Sequence, residues 1–141
     1  MPYDMTVKSA GDEISSTYEG RHITLLESQL VHPTHSPDYV HKGDPVLIGT
    51  DLVGVAFRTA TAATDLIAID TEGIWALTCT AENYSGNSAI AVGDRLYISS
   101  AGIITKNDHD VPFGYALSTL TSSYTDIVTV KVHAGTAVAQ P

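Results

Sequence analysis

"GDPVLIGTDLVGVAF" occupies Gly43–Phe57, and its reading decides the fold. Glycine tolerates positive φ and aspartate bonds nearby backbone, so the opening Gly-Asp pair turns the chain into a strand. Short apolar runs follow, at Val46–Ile48 and Leu52–Arg58, parted by turn residues. The pattern returns as "GDRLYISSAGIIT" (Gly93–Thr105) and "FGYAL" (Phe113–Leu117). Each copy has Gly-Asp, a strand ending in Ile, a turn, and later Gly-x-Ala, at Gly54–Ala56 and Gly114–Ala116. Neither Gly-Asp pair opens a helix. A phosphate cradle is therefore excluded, because it needs a following helix N-terminus.

Working outward, further strands are expected at His22–Ser28, Leu66–Thr71, Ile74–Thr80, Arg95–Ser99, Gly102–Thr105, Phe113–Leu117 and Ile127–His133. Short, evenly spaced strands argue an all-β sandwich or barrel. No stretch keeps a helical period over three turns. In "GIWALTCTA" the side chains of Trp75, Leu77 and Cys79 share one face, and those of Ile74, Ala76 and Thr78 the other. Trp75 reads as a core or interface anchor, and Cys79 as a small buried residue rather than a reactive thiol.

A chain of 141 residues, 43% hydrophobic and 16% charged, has the size and composition of one globular domain. Sixteen acids face seven bases, a formal charge of -9. The bases are scattered, at Lys8, Arg21, Lys42, Arg58, Arg95, Lys106 and Lys131. Phosphate neutralisation needs clustered cations, so nucleic acid and anionic membrane are not expected partners. The single cysteine excludes an internal disulfide. The N-terminus has no apolar stretch of signal-peptide length, and no run approaches the roughly 20 apolar residues of a membrane span. The expectation is a soluble protein without a targeting segment.

Residues 1–20 follow neither period and read as an extended arm, ordered only on a partner, because ordering costs about 1–2 kcal/mol per residue. Stretched out, such an arm reaches roughly 65 Å at about 3.3 Å per residue. Residues 21–135 form the expected β-barrel domain, including a His-rich connector at 31–42. Residues 136–141 read as a flexible tail.

The connector, "VHPTHSPDYVHKGDP" (Val31–Pro45), packs His32, His35 and His41 close together with Asp38 among them. Zinc needs converging His, Cys or carboxylate ligands. Pro33 and Pro37 spoil a helix that would align them, so the expectation is solvated or interfacial histidines and no bound metal. His32, His35 and His41 remain the only metal candidates. "KNDHDVPFG" (Lys106–Gly114) offers Asp108, His109 and Asp110, but lacks the oxygens of a calcium loop and reads as an Asx-rich turn. No G-x-S-x-G elbow, paired-cysteine motif or H-E-x-x-H helix occurs. The Gly-Arg-Ser-Ser and Gly-rich C-terminal motifs of the trimeric dUTPases are also missing. No catalytic residue and no cofactor is expected.

From about Arg21 to His133 the chain resembles the bacteriophage capsid cement, or head decoration, proteins, a group also known from prophages as a domain of unknown function. "GDPVLIGTDLVGVAF" is similar to that family's opening Gly-Asp-x-Val…Gly-Val-Ala, and "TEGIWAL" to its Thr/Glu-Gly-Val-aromatic-x-Leu strand. "IAVGDRLYISSAGIITK" resembles its Gly-Asp-x-Val-Tyr hairpin. "PFGYAL" and "DIVTVKV" resemble its closing strands. The connector 31–42 and the arm are longer than the pattern leads one to expect.

The resemblance implies a small β-barrel or β-tulip-like domain with an extended N-terminal arm. It implies a structural protein that is not an enzyme and that binds the outer surface of a phage head between coat-protein capsomers. Its partners would be the major capsid protein and copies of itself, as a trimer or else a dimer, on virions assembled in the host cytoplasm. Pro2, Tyr3, Met5, Val7, Tyr18, Tyr39 and Trp75 are the expected interface residues. Two other classes stay open. One is a carbohydrate-binding or tail-associated module using Tyr84, Tyr97 or Tyr124, and the other a small metal-dependent hydrolase.

Overall fold

The computed structural model describes residues 21–133. Among the described residues eleven strands run in chain order: β1 His22–Leu26, β2 Pro45–Ile48, β3 Leu52–Ala56, β4 Leu66–Asp70, β5 Ile74–Thr80, β6 Glu82–Asn83, β7 Gly86–Asn87, β8 Arg95–Ile98, β9 Ile104–Thr105, β10 Val111–Ala116 and β11 Thr125–Val132. An open four-stranded sheet has the order β1-β4-β3-β2, and five strands close into a barrel in the order β10-β11-β5-β9-β8. The all-β barrel class expected from the sequence is the class observed.

The departures are small and local, and β10, like the last strand, starts two residues early, at Val111. The first strand stops at Leu26, because the Gln29 side-chain oxygen takes the Leu26 N–H at 2.9 Å and a 3-10 turn over Glu27–Gln29 follows. The last strand starts earlier than expected, at Thr125. The two-residue strands β6 and β7 pair as a hairpin that carries too few residues to show a period.

The sequence echo is a structural repeat. Strands β2, β3 and β4 have the same pairing as β8, β10 and β11. Val46 lies opposite Gly54 as Leu96 lies opposite Gly114, and Ala56 opposite Ile69 as Ala116 opposite Val130. The turns match bond for bond. Gly43 N–H donates to the Ala56 carbonyl, and Ala56 N–H to the Asp44 carbonyl, at 2.8 and 3.0 Å. Gly93, Ala116 and Asp94 repeat both bonds at 2.7 and 2.9 Å. Gly43 and Gly93 sit at φ 88° and 91°, the left-handed region that glycine alone enters without strain.

Gly54 and Gly114 are needed for a different reason. A β-carbon at Gly54 would lie 2.5 Å from Ile69 Cγ2 and 2.7 Å from the Asp70 carbonyl oxygen. At Gly114 it would overlap the Lys131 carbonyl oxygen.

The buried apolar residues form two clusters, and the first copy contributes to both. The barrel encloses Leu77, Cys79, Leu96, Ile98, Ile104, Phe113, Val128 and Val130, with Val53 and Val55 of β3 packed into the same cluster. A second cluster of Leu30, Val40, Val46, Ala56, Ile67 and Ile69 fills the space beneath the connector. Trp75 is half-buried against the larger core, on the inward face it shares with Leu77 and Cys79.

Candidate functional site

The connector folds back onto the first Gly-Asp turn and is held there by two carboxylates. Glu27 is buried, and its Oε2 accepts the Val40 N–H at 3.0 Å and faces His32 Nε2 at 2.9 Å. His32 Nδ1 lies 2.7 Å from the Pro33 carbonyl oxygen, so both ring nitrogens face acceptors. The His32 and Glu27 side chains are only 7% and 6% exposed. An uncapped buried carboxylate would be costly, and these bonds offset that cost.

Asp44 Oδ2 accepts the His41 N–H at 2.8 Å and meets His35 Nε2 at 2.6 Å. The His35 ring stacks on His41 with centroids 3.6 Å apart, and on His32 at 5.9 Å. The sequence argument placed these histidines on a connector with nothing to align them. Instead, Glu27 and Asp44 fix the loop, and ligand-type atoms of His32, His35 and Asp44 all fall within 4.8 Å of one another. His41 gives its backbone and its ring face instead. Glu27 and Asp44 were not singled out in the sequence. Asp44 was visible only as a turn residue, and Glu27 carried no signal at all.

Beside this knot lies a cavity of about 320 Å3, lined by Pro33, His35 and Asp44 on one side and by Thr78, Thr125 and Ile127 on the other. The second wall belongs to the outer face of β5 and β11. Strand alternation and the register place Ile74, Ala76, Thr78 and Thr80 beside Lys131, Thr129, Ile127 and Thr125 on that face. Ile74 and Ile127 are each 61% exposed. Lys131 is the only charge among these eight residues, in a chain with sixteen acids.

A third cluster pins the link between β4 and β5. Asp70, 2% exposed, receives Arg21 Nε at 2.9 Å, Arg21 Nη2 at 3.1 Å, and the Glu72 N–H, Gly73 N–H and Trp75 indole N–H at 3.0 Å each. Burial alone would raise its pKa. The Arg21 guanidinium and the three N–H donors overcome that and hold the carboxyl well below the usual carboxylate range. Trp75 thus has a polar partner as well as its edge contact with Phe57, whose ring centroid is 5.4 Å away.

The other expected residues are dispersed. Tyr39 is half-buried against the smaller core. Pro2, Tyr3, Met5, Val7 and Tyr18 lie outside the described residues. His109 stacks on Tyr84 at 3.6 Å, in a turn where its N–H donates to Asn107 Oδ1 at 3.0 Å. Tyr97 is half-buried on β8, and Tyr124 is exposed in the turn before β11. Cys79 is buried, which pushes its thiol up to about 12 and leaves it protonated and unreactive at neutral pH.

No curated protein and no solved structure shows a significant match to this chain. A family model for phage cement proteins matches residues 27–139, which takes in the connector, both Gly-Asp repeats and every strand from β2 to β11. By that match, the chain belongs to the phage cement protein family, structural components of the virion capsid.

Proposed function

We propose that this protein decorates the outer surface of a phage head, binds between coat-protein capsomers and stabilises the shell, with the outer face of β5–β11 as its docking surface. The observation that carries the reading is the near-neutral strip from Ile74 to Thr80 and from Thr125 to Lys131 on an otherwise acidic chain. Interface centres are depleted in charge and keep exposed apolar anchors, and Ile74 and Ile127 have that character. The net charge of -9 suits the outside of a shell better than its DNA-filled interior. Many equivalent sites on one shell let weak individual contacts act together. Residues 1–20 serve in this reading as an arm laid across a neighbouring subunit, and self-association as a trimer presents several such arms at once.

The test is a binding titration on undecorated heads, with bound copies counted for three proteins. Wild type should saturate. Ile74→Glu/Ile127→Glu should keep its melting temperature, because both side chains are already exposed, and should lose most of its occupancy. The chain lacking residues 1–20 should bind fewer copies. Undiminished binding by the double variant would move the docking surface away from β5–β11.

A further inference from the structure

We infer that His32, His35 and Asp44 form a binding site for a single transition-metal dication of the zinc class. The three ligand atoms, two imidazole nitrogens and one carboxylate oxygen, lie within 4.8 Å of one another in half-buried positions. Zinc bonds to such atoms are about 2.0–2.2 Å long, so ligand atoms sharing one ion lie roughly 3–4 Å apart, a small closing movement from this arrangement. Two nitrogens and one oxygen suit zinc and its neighbours rather than calcium or magnesium, which take oxygen ligands.

The surroundings are those of a built site. Glu27 Oε2 holds His32 Nε2 at 2.9 Å, a carboxylate behind a histidine, and Nδ1 becomes the ligand atom once an ion displaces its 2.7 Å contact with the Pro33 carbonyl oxygen. Glu27 is fixed in turn by the Val40 N–H, and Asp44 by the His41 N–H. The cavity that His35 and Asp44 line gives an ion a path of entry and room for a water ligand.

The repeat supplies an internal control. In the second copy, Asp94 Oδ2 takes the Ala91 N–H at 2.8 Å and pairs with the Lys106 ammonium at 3.2 Å. Among the described residues, the equivalent oxygen of Asp44 has no lysine against it and meets His35 instead, with His32 close behind. A bound dication would give the first turn the positive charge that Lys106 gives the second, and would clamp the connector to that turn.

The experiment is equilibrium dialysis of metal-stripped full-length protein against zinc, with thermal melts on the same samples. One ion per chain and a raised melting temperature are expected. His35→Ala, which leaves the His32–Glu27 contact in place, should weaken binding by more than about tenfold, since loss of a supporting group alone costs that much. Asp44→Asn keeps an acceptor for the His41 N–H, so it preserves the turn while weakening the site. His109→Ala, a histidine outside the cluster, should bind as wild type does. No stoichiometric zinc, or zinc retained by both His35→Ala and Asp44→Asn, overturns the assignment.

Discussion

The two halves of the repeat share a backbone and differ in what closes them. In the first copy, β2 and β3 meet through a tight turn with Gly49 at φ 63°, and the copy stays part of an open sheet extended by β1. In the second, the chain between β8 and β10 is longer and carries β9. That strand pairs with β8 on one side and, in parallel, with β5 on the other, which closes the barrel. The same insertion delivers Lys106 to Asp94. The first copy has no such insertion, and its Asp44 is served from the opposite direction by the histidine connector. One turn motif therefore accepts a nitrogen partner from either side, and the longer loop decides which copy becomes a barrel.

The most severe break in this symmetry should come where strands touch. Gly54→Ala and Gly114→Ala each drive a methyl into backbone of the adjoining strand, and backbone cannot rotate away as a side chain can. Each should cost about 3 kcal/mol, at the upper end of overpacking effects. Urea unfolding of both variants measures it. A cost under about 1 kcal/mol at either site would mean that the two copies are not held by the same close approach.

The register also equates Asp70 with Lys131, an acid with a base, and both reach the link between the copies. Asp70 gathers Arg21 and Trp75, while Lys131 donates to the Glu72 carbonyl. Asp70→Asn removes the charge from a buried, paired carboxylate and should cost about 3 kcal/mol at neutral pH. The folded carboxyl ionises well below the ordinary range. Its contribution is therefore complete above about pH 4, near the unfolded-state value, and is lost as pH falls through the folded value. Melting temperature against pH should drop more steeply below about pH 4 in wild type than in Asp70→Asn. Parallel curves would remove Asp70 as the acid-sensitive pin.

The smallest effect sharpens the likeness instead of the difference. Gly43 and Gly93 have near-identical positive φ, and a β-carbon at either meets nothing within 4 Å. Alanine at each should cost only the conformational strain, roughly 1–2 kcal/mol, and the two losses should agree. A marked inequality in the two unfolding curves would show that one turn is stabilised by its connector and the other is not.

The fold was legible because its signals are local. Gly-Asp followed by an apolar run fixes a turn and a strand together, and "GIWALTCTA" alternates cleanly, so both are readable without knowing their neighbours. The repeat was visible in the turns and hidden in β4 and β11, which share register but little sequence. The histidine knot was less legible, for a physical reason. Its order comes from Glu27, which lies before the connector, and from Asp44, which lies after it. Pro33 and Pro37 correctly excluded a helix, but a loop tied at both ends by carboxylates converges without one. The proposed docking face was legible in part. Strand alternation put Ile74 and Thr78 opposite Trp75, yet only the pairing of β5 with β11 sets Ile127 beside them.

The central claim is that this chain cements a capsid from outside, and its most direct test is a pair of electron cryomicroscopy maps of the phage head, with and without the protein. The account predicts added density on the outer surface at junctions between capsomers, with β5–β11 turned toward the coat protein, and heads that withstand more heating when decorated. Added density on the inner surface or only at the tail, or a shell that binds no copies, would contradict it.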